Sequence, residues 1–230
     1  MIITFGIASY NNVKDLLLTL NTINKTMKNY KNLKYEIIII NDNSTDDTDY
    51  KLKNIKKNNV KYFKNKLNLG FGKSILKAAE LGKGKFFKII HSGNIENSRE
   101  LQTYINNIYN YKVIIPYIID KRVFYRKFIS KFCTFIFNLV SGKNIKYYQS
   151  PLMCSRREFI KLFPKNNFGN FFLSTVIYKI VNIYDKNYIL EFGITPKFKK
   201  GSTALSFYNF TSLLLSIATI INLRIQNKIK

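Results

Sequence analysis

Four short stretches of this 230-residue sequence gather small, polar and turn-forming side chains of the types that bind or transform ligands. They are Ser9-Tyr10-Asn11-Asn12, Asn41-Asp42-Asn43-Ser44-Thr45-Asp46-Asp47-Thr48, Asn68-Leu69-Gly70-Phe71-Gly72-Lys73 and His91-Ser92-Gly93-Asn94. In the second, Ser44-x-x-Asp47 has the spacing of a helix capping box, which accounts for part of its hydroxyl and carboxylate cluster. Asp42 stands ahead of that box, where its carboxylate could accept hydrogen bonds from a base edge or a ribose hydroxyl. Gly70 and Gly72 let the backbone approach a ligand and open a helix whose first amides favour phosphate. Polar loops are common, so any one of the four has a bland explanation. Their recurrence calls for a shared one.

The intervening elements supply it. Apolar, β-rich runs at 2–9, 35–41, 60–63, 86–90 and 112–116 alternate with helical patterns near 13–29, 46–58, 71–82 and 98–109. The run over 35–41 is apolar on both faces, as a central strand of a covered parallel sheet must be. Alternation of this kind predicts an α/β fold with a Rossmann-like, mostly parallel sheet flanked by helices. Ligands of such sheets bind beyond the carboxyl ends of the strands, where all four stretches fall. After residue 116 the pattern loosens. It predicts an aromatic and basic helix over 122–141, an irregular loop over 142–154, helices near 156–163 and 171–184, and a strand near 188–194.

A hydrophobic fraction of 46%, with 15% aromatic residues, gives enough apolar surface for a core and excludes disorder. The net charge of +25 suits anionic partners, yet only six of the basic residues are Arg, so compositional drift explains it equally well. No nucleic-acid recognition motif accompanies the charge, and a nucleic-acid partner is not expected. Cys133 and Cys154 show no metal spacing, which predicts a reduced, cytoplasmic chain. The first residues run into a strand with no basic leader, so no signal peptide is expected. Residues 202–223 carry no charge, and Asn209, Ser212, Ser216, Thr219, Asn222 and Gln226 form a narrow polar stripe. The stripe predicts a C-terminal apolar helix over 205–230 that lies in an interface or docks on a partner, in preference to spanning a bilayer.

The order ASYNN, INDNSTDDT, NLGFGKS resembles family 2 glycosyltransferases of the GT-A fold, whose pattern is P-x-Y-N-E, V-D-D-G-S-x-D-x-T, N-x-G-x-x-x-A. Arg126-Lys127-Phe128-Ile129-Ser130 with Leu139-Val140-Ser141-Gly142 is similar to the R-x-x-I-S-R…G segment of dolichyl-phosphate-mannose-synthase-like members. KYYQSPLMCSRREF resembles their D-x-x-S-G-F-R-x-x-R-R segment, and ITPKFKKGSTAL their terminal V-P-I-x-F-x-x-R-x-x-G-x-S-K. The resemblance runs in order over about residues 3–205. It implies a GT-A domain over 1–204, with a nucleotide-sugar half (1–116) and an acceptor half (117–204), followed by the helix.

By resemblance, Tyr10, Asn12 and Asp42 fall on nucleotide-contacting positions and Gly70 on the helix-opening glycine, with Asn68 and Lys73 beside it. Arg122, Arg126, Lys200 and Ser202 fall on the acceptor or phosphate side. The implied reaction is inverting transfer of a hexose from a nucleoside-diphosphate sugar to polyprenyl phosphate or another lipid-linked or glycan acceptor. The basic, Phe-rich helix over 122–141 has two readings. Its basic face is either simply solvated, or it places the chain on the inner face of the cytoplasmic membrane. The departures are as informative. Asn12 replaces the usual Glu and Asn41 the first Asp of the pair. The resemblance implies Mg²⁺ or Mn²⁺ held by an Asp-x-Asp after the fourth strand, but this chain has His91-Ser92-Gly93 with Asn94 next. His91, Asn94 and a swung-in Glu96 or Glu100 are the substitutes in reach, and His91 as imidazole or cation could meet the diphosphate itself. Where inverting members carry a general-base Asp, this chain has Tyr147, Tyr148 and Gln149. That leaves His91, Asn94 and Gln149 as catalytic candidates. A catalytically silent GT-A domain that binds a nucleotide sugar or a partner is the alternative reading.

Overall fold

Ile37, Ile38, Ile39 and Ile40 have no exposed surface, and they alternate between two hydrophobic clusters. Their strand is covered on both faces, as its unbroken apolar run requires. The computed structural model describes residues 2–53, 55, 58–119, 124–166, 168–196 and 207–229. Within these, β1 (Ile2–Ser9), β2 (Lys34–Asn41), β3 (Val60–Lys64), β4 (Phe86–His91), β5 (Val113–Ile118), β6 (Met153–Ser155) and β7 (Ile189–Ile194) form one sheet. Its order is β3-β2-β1-β4-β6-β5-β7, and β6 alone runs against the others. Chain order reverses between β1 and β4, which is where an open α/β sheet leaves a crevice.

Helices α1 (Val13–Met27), α2 (Thr48–Lys53) and α4 (Ser98–Asn107) pack on one face through Leu16, Leu52 and Leu101. On the other face lie α3 (Phe71–Leu81), α5 (Phe124–Ser141), α6 (Arg156–Leu162), α7 (Phe172–Ile183) and α8 (Phe207–Ile229), contributing Ile75, Phe137, Phe159, Val176 and Ile220. The predicted α/β sheet is present, and the five early strands begin and end close to the expected positions. The structure adds β6, where an irregular loop was expected. Three residues are too few to show a period, and β6 forms because Met153 and Cys154 are buried between β4 and β5.

Three local expectations are corrected. Helix α2 occupies Thr48–Lys53 among the described residues, shorter than 46–58, because the Asp46 carboxylate turns onto the Thr48 amide at 3.1 Å and so sets the helix start. The Ser44-x-x-Asp47 capping box does not form: Ser44 Oγ accepts from the Asn11 amide at 3.0 Å, and Asp47 faces Lys51 at the surface. The first half of the polar stripe of α8, Asn209, Ser212 and Ser216, faces inward onto the chain's own fold, while Asn222 and Gln226 stay exposed. Ser216 Oγ donates to the Phe171 carbonyl at 2.7 Å, Ser212 Oγ accepts from the Phe171 amide at 3.1 Å, and Arg224 donates to the carbonyls of Leu139 and Val140. Those contacts satisfy a helix start and a helix end that α8 would otherwise cover.

Lys88, in mid-β4, has no exposed surface. Its Nζ donates to Glu96 Oε1 at 2.9 Å and to the Pro151 carbonyl at 2.6 Å, over the Tyr104 ring. The Tyr104 hydroxyl donates to the same Glu96 oxygen at 2.9 Å. One ammonium thus ties β4, the loop after it, α4 and the segment entering β6. Burial pulls the Lys88 pKa down and pushes that of Glu96 up, and the opposite charge of each partner works against that. Lys88→Met should lose about 3 to 5 kcal/mol in urea unfolding, since it leaves a buried carboxylate unpaired, whereas Lys88→Met with Glu96→Leu should recover most of it. Equal losses in both variants would contradict this reading.

Candidate functional site

All four loops at the carboxyl edge turn through a left-handed residue: Asn11 (φ 48°), Asn43 (φ 63°), Gly70 (φ 84°) and Asn94 (φ 50°). Glycine adopts this conformation freely, and asparagine tolerates it better than most side chains. The turns let the loops fold over the strand ends and bond to one another. Asn11 Oδ1 accepts from the amide of Thr45 at 2.8 Å, while Asp46 Oδ2 accepts from the Val13 amide at the start of α1. Asn12 Nδ2 reaches Ser92 Oγ at 3.4 Å across the β1/β4 crevice. Thr19 on α1 holds the fourth loop, its Oγ1 donating to the Ser92 carbonyl and accepting from the Asn94 amide at 3.0 Å.

Asp42 is buried, and its carboxylate accepts three hydrogen bonds: Oδ1 from Asn65 Nδ2 (2.8 Å) and the Leu69 amide (2.9 Å), Oδ2 from the Gly70 amide (2.8 Å). Asn65 also donates to Ser74 Oγ at 3.0 Å and accepts from Lys77 Nζ at 2.7 Å. The pair fastens the β3–α3 loop to the end of β2. Asn68 Oδ1 adds a bond to the same Gly70 amide at 3.1 Å. The Gly72 amide donates to the Phe168 carbonyl at 3.0 Å, and a Cβ at Gly72 would sit 2.4 Å from that oxygen. The amides of Gly70 and Gly72 are therefore spent inside the protein, which removes them from the phosphate role expected at the start of α3. Asn65 was not singled out in the sequence. Its signal was position alone, as the first residue after β3.

The half-buried His91 ring stacks on Phe71 at 5.5 Å between centroids and 8° between planes. Burial, then the Lys88 charge, pushes its pKa down to about 4. Its working form near neutrality is the imidazole, and the cation considered above is disfavoured. Neither ring nitrogen has a hydrogen-bond partner among the described residues.

The residues present do not fit Mg²⁺ or Mn²⁺. Glu96 points inward to Lys88 and Tyr104, so it does not swing into the crevice. Glu100 accepts from the amides of Asn97 and Thr195, both at 2.8 Å. Asn94 Oδ1 accepts from Thr22 Oγ1 at 3.2 Å. Among the described residues no three His, Cys, Asp or Glu side chains converge as metal ligands.

On the acceptor side, β6 runs against β4, so the segment entering it, with Gln149, lies at the same sheet edge, and Ser150 there donates to the Pro116 carbonyl at 2.6 Å. Tyr148 is buried, bonded to Ser141 and Asn138, and burial raises its pKa to about 12, so it is no base near neutrality. The structure thus gathers Tyr10, Asn12, Asp42, Asn68, Gly70, His91, Asn94 and Gln149 along one sheet edge. Tyr10 is exposed, and Lys73 lies just inside α3 with Nζ 4.7 Å from the Phe168 ring centroid. Arg126 lies on α5, while Arg122, Lys200 and Ser202 lie outside the described residues. A depression of about 400 Å³ lined by Leu33, Lys34, Tyr35, Glu36 and Lys83 opens at the opposite edge. Glu36 there is already bonded by Thr4 and Lys61, which leaves no free pair for chemistry.

The fold has known counterparts. Glucosyl-3-phosphoglycerate synthase from Mycobacterium tuberculosis, solved with Mn²⁺, UDP and phosphoglyceric acid, matches with a TM-score of 0.69 at 12% identity, over 94% of this chain and 78% of that one. S. aureus TarS 1-349, in complex with UDP-GlcNAc, matches with a TM-score of 0.63 at 17% identity, over 96% of this chain and 66% of that one. At such identities the likeness shows a shared GT-A-like fold. None of the curated proteins matches the sequence. The family model described as "Glycosyl transferase family 2" matches residues 4–163, most of the chain and all four edge loops. The chain belongs to glycosyltransferase family 2.

Proposed function

We propose that this chain is an inverting glycosyltransferase of the dolichyl-phosphate-mannose-synthase-like type, moving a hexose from a nucleoside-diphosphate sugar to polyprenyl phosphate or another lipid-linked or glycan acceptor. The observation that carries the donor half is the Asp42 carboxylate, which pins the β3–α3 loop beside the β1/β4 crevice. Tyr10, Asn12, Asn68, Gly70 and Lys73, at the same sheet edge, complete the proposed donor-binding set. The UDP and UDP-GlcNAc complexes of the two similar structures support a UDP-sugar donor. In the transfer, an acceptor oxygen attacks the anomeric carbon in line, the bond from that carbon to the diphosphate oxygen breaks, and its electron pair leaves with the diphosphate. His91, Asn94 and Gln149 are the candidates to meet the reacting atoms by hydrogen bonding. A phosphate acceptor is anionic near neutral pH and needs no base, which suits an acceptor side whose Tyr148 is locked inside. Arg122, Arg126, Lys200 and Ser202 would take that phosphate.

The membrane-linked part of the proposal rests on α5 and α8. On α5, Phe124, Phe128, Phe132, Phe135 and Leu139 are all more than half exposed, and their spacing puts them within about 80° of one helix face. Of the two readings of this helix, the membrane one is supported by an outward side of α5 that is apolar, with Lys127 and Lys131 along its edge. On α8, Phe210, Leu214, Ile221 and Ile225 form a second outward stripe opposite buried Ser216 and Ile220. Neither helix contains an acidic residue. Exposed apolar stripes with basic borders suit the surface of an anionic bilayer. No helix among the described residues is long and apolar enough to cross one. The silent-domain alternative draws on His91-Ser92-Gly93 standing where the metal carboxylates are expected. Donor binding without transfer to any acceptor would favour it.

Two measurements test the proposal. Asp42→Ala should weaken UDP binding in calorimetry by about 1.5 to 3 kcal/mol, roughly tenfold or more, through release of the loop it holds. Unchanged affinity would take Asp42 out of the donor site. Liposome flotation should carry the protein up with anionic vesicles, and Phe128→Ser with Phe132→Ser should abolish that while leaving the thermal melt unchanged. Wild-type protein that stays at the bottom of the gradient ends the membrane reading.

A further inference from the structure

We propose that the donor diphosphate is bound without a divalent cation, with the His91 side chain donating an N–H to it at the β1/β4 crevice. This rests on the nucleotide-sugar reading above. A hard cation on a diphosphate needs oxygen ligands, in practice carboxylates. Four carboxylates of this edge and its surroundings are engaged elsewhere. Asp42 carries three hydrogen bonds, Glu96 holds the buried Lys88, Glu100 caps α4 and binds the Thr195 amide, and Asp46 serves Val13 and Thr48. Recruiting Glu96 would strand an ammonium with no exposed surface. At the loop itself stand an imidazole, a hydroxyl, a glycine and an amide already bonded to Thr22.

Crowding does not explain the missing carboxylates. A Cβ built on Gly93 meets nothing closer than 3.7 Å, and its φ is not in the left-handed region, so the position has room for an acidic side chain. His91 occupies its place with a ring clamped on Phe71 and two nitrogens unpaired among the described residues. A neutral imidazole offers one N–H to an anionic oxygen and needs no second ligand. The excess of 38 Lys and Arg over 13 Asp and Glu supplies a general field that favours a dianion.

Calorimetry with UDP, in EDTA and then in millimolar Mn²⁺, reads the proposal directly. The expected result is the same affinity in both, and a loss of about tenfold in His91→Ala, the size of one hydrogen bond to a charged group. UDP binding that requires Mn²⁺, or that tightens tenfold or more with it, overturns the inference and leaves the donor reading standing. Silence in both conditions, for UDP and the other nucleoside diphosphates alike, overturns the donor reading and the inference with it. A second variant asks whether the carboxylates alone are missing. His91→Asp with Gly93→Asp should fold, bind Mn²⁺ in electron paramagnetic resonance where wild type does not, and make UDP binding Mn²⁺-dependent. Equal Mn²⁺ binding by wild type, or none by the folded variant, contradicts the account.

Discussion

The carboxyl edge of the sheet depends on one buried carboxylate. Asp42 ends β2 with its backbone amide on Ser9 and its side chain on Asn65, Leu69 and Gly70, so it joins the ends of β1, β2 and β3 at a single residue. A carboxylate can accept several hydrogen bonds at once. With three donors it fixes a loop that has no regular structure of its own. Gly70 can meet it only because its backbone is left-handed there.

The other loops are secured mostly by neutral groups, with Asp46 on the Val13 amide beside them. Asn11 and Asn12 bind loop to loop between strands that the fold sets side by side, and Thr19 ties the fourth loop to α1. The reversal of strand order between β1 and β4 opens the crevice, and the Asn12–Ser92 contact spans it. Behind it, Lys88 connects β4 to the chain entering β6, so the two halves of the sheet share one buried charge pair. The price of that arrangement is that Glu96 is withdrawn from the crevice. The fold's stability and its departure from metal-ligand chemistry share a residue.

Much of this was readable in the sequence. The βαβ alternation and the polar strand ends placed the sheet and its working edge, because hydrophobic period and turn chemistry are local properties. What escaped was set by tertiary contact. Ser44 and Asp47 have capping-box spacing, yet Asn11 captures Ser44 from another loop. The α8 stripe of Ser212 and Ser216 reads as a surface, yet it meets the backbone of Phe171. The Phe-rich helix α5 reads either as one with a solvated basic face or as one that faces lipid, and the packed helix buries Phe137 and turns Phe124, Phe128, Phe132 and Phe135 outward. Asp42 was picked out as a ligand for a nucleotide, and its hydrogen bonds make it first a brace for the loop. In each case a short polar or apolar pattern had two possible partners, and only the packed chain distinguishes them.

Backbone amide chemical shifts recorded while UDP is titrated into the protein test the donor edge most directly. The account predicts perturbations concentrated at residues 9–12, 41–46, 68–73 and 91–94, on both sides of the β1/β4 crevice. Saturable shifts confined to the opposite edge around Tyr35, Glu36 and Lys83 would contradict it.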